Sequence, residues 1–284
     1  MPELPEVETI VRGLRPRITD RRIDAVEVQR PDVLGQAEEI FRSRTKGRDV
    51  QGVSRRGKNV VVELDGGSVL LVNLGMTGRL LADPPSTGPG APGHPAVEIR
   101  FDDGGRLVYD DVRRFGRLDL LTPGEWRGRS ASLGREPLAD AFGVEDLSDL
   151  LAGSRSPVRS WLLDQRRVAG IGNIYANEAL FRARIHPMRP ARSLERAEIG
   201  RLHGALREVL MEAIADGGTT IRDYRDAEGE EGSFSPRLLA YGREDEPCPR
   251  CGTPIRRIVF GNRSAFLCPG CQEESGARGG DGAP

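Results

Sequence analysis

The chain has 284 residues, a length that suggests two domains, each able to bury a core. Apolar residues make up 37% and charged residues 30%, and no run approaches the roughly 20 apolar residues that cross a bilayer, so a soluble globular class is expected. The net charge of −1 gives no global sign of a nucleic-acid binder, and the N-terminus lacks the basic-then-apolar order of a secretory signal, which makes the cytoplasm the expected compartment.

The chain opens MPELPEVETI. After Pro5, the apolar residues Val7, Ile10, Val11 and Leu14 fall at i, i+3, i+4 and i+7, one face of a helix that Pro16 is expected to end. Short β-rich segments follow at 22–28, 59–64, 68–74, 97–101 and 106–109, separated by turns such as Asp65-Gly66-Gly67 and Asp102-Asp103-Gly104-Gly105. Residues 83–95 are rich in Pro and Gly and read as a loop. Residues 1–130 therefore predict a β-sandwich or barrel with a leading helix, and 131–153 a linker. From there the pattern turns helical, at 174–183 and 194–215, the second helix stopped by Gly217-Gly218. Residues 222–235 are polar, glycine-containing and aperiodic, and a loop this long is functional or disordered. A cysteine module occupies 236–272, and the Gly-rich tail 273–284 is expected to be disordered. The fold class is α+β, with no internal repeat.

Charge is unevenly placed. Residues 50–62 hold Arg55, Arg56 and Lys58 and no acid; 155–189 hold seven Arg against Asp164 and Glu178; 248–271 hold four Arg and no acid. Such segregation fits a basic groove on a near-neutral protein, and it fits scattered solvated charge equally well.

All four cysteines lie within 24 residues, spaced Cys248-x2-Cys251-x16-Cys268-x2-Cys271. Paired C-x-x-C knuckles each offer two sulfurs to one ion, the spacing of a four-thiolate zinc site. Four protein ligands close the shell, so one structural Zn2+ is expected rather than a catalytic one. The intervening IRRIVFGNRSAFL reads as two strands joined at Gly261-Asn262, with Arg263 beside the tip.

The first residues carry their own chemistry. Removal of Met1 ahead of the small Pro2 would leave a secondary amine, partly unprotonated at neutral pH. Such an amine attacking a sugar C1′ yields a cationic iminium, covalent catalysis of the Schiff-base type. Glu3 could move the protons that base departure requires. A proline early in a helix and acids in its first turn also serve helix initiation alone.

PELPEVET, RRGK, LGMTG, DVRRFG, GIGNIYANEALFRARIHP, GGTT and the paired C-x-x-C occur in that order. Together they resemble the family of formamidopyrimidine-DNA glycosylases and endonuclease VIII, over residues 1 to about 272, and the Leu4-Pro5-Glu6-Val7 start resembles the first branch. The resemblance implies a β-sandwich (1–130), a helix–two-turns–helix DNA-binding domain with a lesion loop (154–235) and a zinc finger (236–272). It implies that Pro2 is the nucleophile, Glu3 the proton donor for base release, Lys58 a proton donor in β-elimination, and Arg263 a phosphate contact with a role in δ-elimination. Glu6 matches a family position too, and a helix-capping role explains it equally well.

The same resemblance casts Met76, Arg113 and Phe115 as the wedge that fills the hole left by an extruded base. Val112 stands where the family usually has proline. His94, Arg155 and Asn173 match DNA-contacting positions, Arg155 replacing a lysine, with Arg159 a weaker companion. From the sequence alone Asn173 reads as the cap of a helix starting at Ile174. The loop at 222–235 corresponds to the segment that closes over the extruded base, and here it is unusually acidic. The implied activity is a bifunctional DNA glycosylase and AP lyase for oxidised purines in base excision repair. It would be a monomer acting on damaged or abasic double-stranded DNA in a bacterial cytoplasm, without membrane or redox cofactor. Two alternatives stay open, an oxidised-pyrimidine glycosylase of the endonuclease VIII branch and a non-catalytic nucleic-acid-binding zinc protein.

Overall fold

Helix α1 (Leu4–Ile18) begins one residue ahead of Pro5, with Glu3 as its N-cap. Pro16 does not end it. The proline lies inside the last turn, where its missing N–H forfeits one bond, and Thr19 N–H still closes onto Arg15 O at 3.2 Å. The structure, a computed structural model, describes residues 2–88, 90–221, 224–261 and 263–274. The expected turn residue Asn262 and the tail from 275 onward lie outside the described residues, as do Arg222 and Asp223 of the polar loop. The chain divides into two compact units, one of residues 1–132 with 213–235, the other of 133–212 with 236–284.

In the first unit α1 is followed by β1 (Ile23–Val28), α2 (Glu38–Thr45), β2 (Val50–Arg56), β3 (Asn59–Leu64), β4 (Val69–Asn73), β5 (Arg79–Ala82), β6 (Pro95–Phe101), β7 (Arg106–Asp110), β8 (Arg117–Leu121) and α3 (Pro123–Ala131). Two four-stranded sheets form, ordered β1-β6-β7-β5 and β2-β3-β4-β8, with antiparallel neighbours throughout. The apolar face of α1 (Val7, Ile10, Val11, Leu14) joins Val26 and Ile99 of one sheet and Val60, Val62 and Val72 of the other in a single core. The alternate residues Val61, Val69 and Leu71 face the other way and are covered by Trp126 of α3. Period-2 burial on both faces explains why β3 and β4 read as nearly unbroken apolar runs.

Residues 213–235 cluster with this unit, whereas the sequence grouping placed them with 154–212. Tyr224 and Ala227 enter its core, and Ala82 N–H donates to Ala227 O at 3.0 Å. The loop's acids are largely engaged: Glu228 pairs with Arg17 at 2.9 Å, Glu231 with Arg225 at 2.6 Å, and Asp226 accepts two backbone N–H groups.

The second unit contains α4 (Val144–Ala152), α5 (Val158–Leu163), α6 (Asn173–Ala183), α7 (Arg196–Ala215, its last turn grouped with the first unit) and the hairpin β9 (Arg256–Phe260) and β10 (Arg263–Leu267). Three side chains of α6 hold the segment that carries the cysteines. Asn177 Oδ1 accepts Phe266 N–H at 2.8 Å, Asn173 Nδ2 donates to Ser264 O at 3.1 Å, and the fully buried Glu178 accepts the N–H groups of Leu239, Ala240 and Tyr241 at 2.8–2.9 Å. Burial pushes the Glu178 carboxyl above its ordinary range, against the pull of those donors. Among the described residues no helix is long and apolar enough to cross a membrane.

Candidate active site

Pro2 and Glu3 are buried at the N-terminal end of α1. Glu3 N–H donates to Glu6 Oε2 at 2.7 Å, one arm of a capping box, so the helix-capping role of Glu6 is present. The other carboxylate oxygen accepts Thr219 N–H at 2.8 Å, and Tyr224 Oη donates to Glu6 O at 3.3 Å. Gly218 has φ +88° and packs so tightly that a Cβ would sit 3.0 Å from Glu6 Cγ, which gives the GGTT motif its reason for glycine. The N-terminal end of α1 is thus fixed to a segment 213 positions away.

Lys58 is buried in the turn between β2 and β3. Arg55 of β2 pairs with Glu8 of α1 at 3.2 Å and donates to Gly57 O at 2.9 Å, which ties the lysine turn to α1.

Met76, Arg113 and Phe115 come together. Arg113 Nη1 approaches Met76 Sδ at 3.5 Å, and its guanidinium lies 4.5 Å from the centre of the Phe115 ring. Met76 is 45% and Phe115 62% exposed, so neither is a core residue. An exposed apolar pair in contact with an arginine is not accounted for by core packing. Val112 is also exposed. His94 is exposed, with its backbone N–H held by the Asp110 carboxylate.

In the second unit Asn173 is the first residue of α6 and Gly172 is the N-cap, so the expected capping role for Asn173 is not observed. Its side chain is occupied elsewhere, accepting from Arg159 Nη2 at 2.6 Å while donating to Ser264. Arg159 is 2% exposed, and among the described residues its guanidinium meets two neutral oxygens, Asn173 Oδ1 and Ser264 O, with Nε unpartnered. Burial, then the like charge of Arg263, pulls its pKa below the ordinary guanidinium value. Two guanidiniums, an amide and the N-terminus of α6 lie near one another with no carboxylate paired to Arg159 among the described residues, an arrangement suited to an anion. Arg263 is exposed at the start of β10, and Arg155 is exposed ahead of α5.

The four cysteine sulfurs lie within 4.8 Å of one another, with separations of 3.4 Å (Cys251–Cys268), 3.5 Å (Cys251–Cys271) and 3.9 Å (Cys248–Cys271). A tetrahedral zinc with Zn–S near 2.3 Å needs sulfurs about 3.8 Å apart, so the donor set fits. Cys248 and Cys268 also join Phe181, Ala240 and Ile255 in a small core.

Sequence reasoning did not single out Asp111, Tyr109, Asn177 or the carboxylate role of Glu178. All four are buried polar groups inside quoted motifs or beside them. An acid amid apolar helix residues, as in NIYANEALF, was the available signal.

Residues 1–118 match the formamidopyrimidine-DNA glycosylase N-terminal domain, 133–225 the H2TH domain of the same enzymes, and 245–273 the zinc finger found in FPG and IleRS. The fold and these matches define a DNA glycosylase of base excision repair with a zinc-finger module. Formamidopyrimidine-DNA glycosylases of Gluconobacter oxydans and Paracoccus denitrificans are 44% and 45% identical to it, across 96% of this chain and 100% of theirs. The crystal structure of MutM (Fpg) from Thermus thermophilus superposes with a TM-score of 0.85 at 42% identity, covering 96% of this chain and 99% of that one. Lactococcus lactis Fpg in complex with abasic-site DNA gives 0.88 at 33% identity, covering 96% and 100%. The chain belongs to the formamidopyrimidine-DNA glycosylase family.

Proposed function

We propose that the chain is a bifunctional glycosylase and AP lyase that excises oxidised purines, chiefly 8-oxoguanine opposite cytosine and ring-opened formamidopyrimidines. After Met1 is removed, the Pro2 nitrogen attacks C1′ of the extruded nucleotide. The C1′–base bond breaks as Glu3 supplies the proton that the base and the opening sugar ring need. The resulting iminium acidifies C2′; loss of that proton expels the 3′ phosphate, and a second elimination expels the 5′ phosphate. Hydrolysis then frees Pro2 and leaves a one-nucleotide gap flanked by phosphates. Lys58 donates a proton in β-elimination, and Arg263 binds phosphate and assists the δ step. Met76, Arg113 and Phe115 fill the emptied stack, with Arg113 able to read the partner base. His94, Arg155 and Asn173 contact the backbone, and Arg159 gives Asn173 its orientation.

The observation that carries this reading is the fixing of Glu3 by Glu6, and of Glu6 by Thr219, at a terminus that would otherwise fray. One zinc closes the four-thiolate shell and supplies structure, not a catalytic step. The enzyme acts as a monomer on damaged or abasic duplex DNA. A point mutant of Lactococcus lactis Fpg has been crystallised with Fapy-dG DNA and the wild type with oxidised-pyrimidine DNA, so the substrate test compares both classes. Single-turnover excision should be faster on an 8-oxoguanine:cytosine duplex than on a thymine-glycol duplex. The reverse order would move the chain's activity to oxidised pyrimidines.

A further inference from the structure

Asp111 stands at the junction of the two loops that carry the wedge. Its carboxylate is 1% exposed and meets four donors. Oδ1 accepts from Thr77 Oγ1 at 2.5 Å and from Arg113 N–H at 3.2 Å; Oδ2 accepts from Tyr109 Oη at 2.9 Å and from Gly116 N–H at 3.0 Å. Thr77 follows Met76, and Arg113 and Gly116 bracket Phe115. One side chain therefore anchors the loop of the methionine and the loop of the arginine and phenylalanine.

The backbone around it is built for this closeness. Gly75 has φ +59°, and a Cβ there would lie 2.5 Å from Gly116 N; a Cβ on Gly116 would lie 1.8 Å from Tyr109 Oη. Arg114, between Arg113 and Phe115, sits in the left-handed region at φ +55°, which is unfavourable for a side-chain-bearing residue. The turn is kept in that conformation by the Asp111 bonds on either side and by the Arg114–Asp32 ion pair at 3.2 Å.

We propose that Asp111 is a positioning residue that preassembles Met76, Arg113 and Phe115 into one wedge before DNA is met. The inference rests on the reading of those three residues as the wedge. An asparagine of the same shape cannot replace it fully. Hydroxyls can reverse, but each oxygen of Asp111 also takes a backbone N–H, and a carboxamide must turn its NH2 toward one of them.

The test uses the full-length zinc-loaded protein as wild type, Asp111→Asn and Thr77→Val, the last removing the hydroxyl that donates to Asp111 and accepts the Arg113 N–H at 3.4 Å. Two reactions are compared: excision from an 8-oxoguanine:cytosine duplex, which needs the wedge, and borohydride trapping on a single-stranded abasic oligonucleotide, which does not. Asp111→Asn should slow duplex excision by about tenfold to a hundredfold while single-strand trapping stays within about threefold, since misplacing a positioning group costs rate only where that group is used. Thr77→Val should shift the same ratio in the same direction by less, and it carries the test if Asp111→Asn does not fold. Unchanged duplex excision in both variants, or equal losses on both substrates, would overturn the positioning role while leaving the glycosylase standing. Wild-type protein inactive on both would overturn the functional reading, and this inference with it.

Discussion

Glu6 and Thr219 are 213 positions apart in the sequence, and one hydrogen bond of 2.8 Å joins the side-chain Oε1 of the first to the backbone N–H of the second. The same carboxylate holds Glu3 N–H at 2.7 Å. A single buried acid therefore couples the N-terminal end of α1 to the GGTT segment from which the polar loop departs. Glu6→Gln must place an NH2 against one of two N–H donors. It should destabilise the protein by about 1–3 kcal/mol, the cost of one buried unsatisfied donor, and reduce Schiff-base formation more than DNA binding. Denaturant titration and trapping yield measure the two effects separately.

Asp111 makes a pH-dependent contribution whose sign is set by its four donors. Burial pushes the carboxyl up, but the hydrogen bonds from Thr77, Gly116, Tyr109 and Arg113 outweigh it and hold the pKa below the usual value. The facing Tyr109 stays protonated because burial, then Asp111 itself, push its phenol up, and the neighbouring Asp110 is paired with Arg79. A carboxylate with a lowered folded-state pKa stabilises the fold fully above the ordinary value of about 4, and that stability is lost as pH falls through the folded-state value. The difference in melting temperature between wild type and Asp111→Asn should be constant from neutral pH to about pH 4 and shrink below it. A difference that grows in acid would contradict the assignment.

Replacing Arg159 should separate stability from binding. Its guanidinium is buried near Arg263 with no carboxylate partner among the described residues. Replacing a buried unpaired charge with an apolar side chain of similar length removes a desolvation cost. Arg159→Met should not lower the melting temperature of the free protein, yet by releasing the Asn173 amide from its orientation it should weaken binding to abasic duplex DNA by about tenfold at physiological salt. Calorimetry of the free protein and fluorescence anisotropy check the two halves.

Metal removal should act on the second unit. Cys248 and Cys268 are core residues there as well as sulfur donors. A thiol-reactive mercurial should release one equivalent of zinc per chain, abolish duplex binding and expose the hairpin to proteolysis. Release of no zinc from freshly purified protein would contradict the structural-metal assignment.

Elements with strong periodicity were legible in the sequence. The α1 face of Val7, Ile10, Val11 and Leu14, the strand at 59–64 and the paired cysteines each declare themselves through spacing. β2 was hidden because Arg55 and Arg56 read as a basic patch, and β8 because Asp119 interrupts its apolar run. Pro16 misled because proline in a final turn costs little. The convergence of Met76 with Phe115, and of Glu6 with Thr219, was beyond local pattern altogether, since each joins segments brought together only by the fold. Asn173 could be assigned to a helix start from its neighbours, but its pairing with Arg159 and Ser264 depends on β10, ninety positions further on.

The most direct test of the account is the covalent step itself. The purified protein is incubated with an 8-oxoguanine:cytosine duplex and borohydride, and the cross-linked peptide is located by mass spectrometry, with the intact mass confirming loss of Met1. The account predicts a reduced adduct on the Pro2 nitrogen. Strong DNA binding with a free Pro2 amine and no adduct, on purine, pyrimidine and abasic substrates alike, would contradict it.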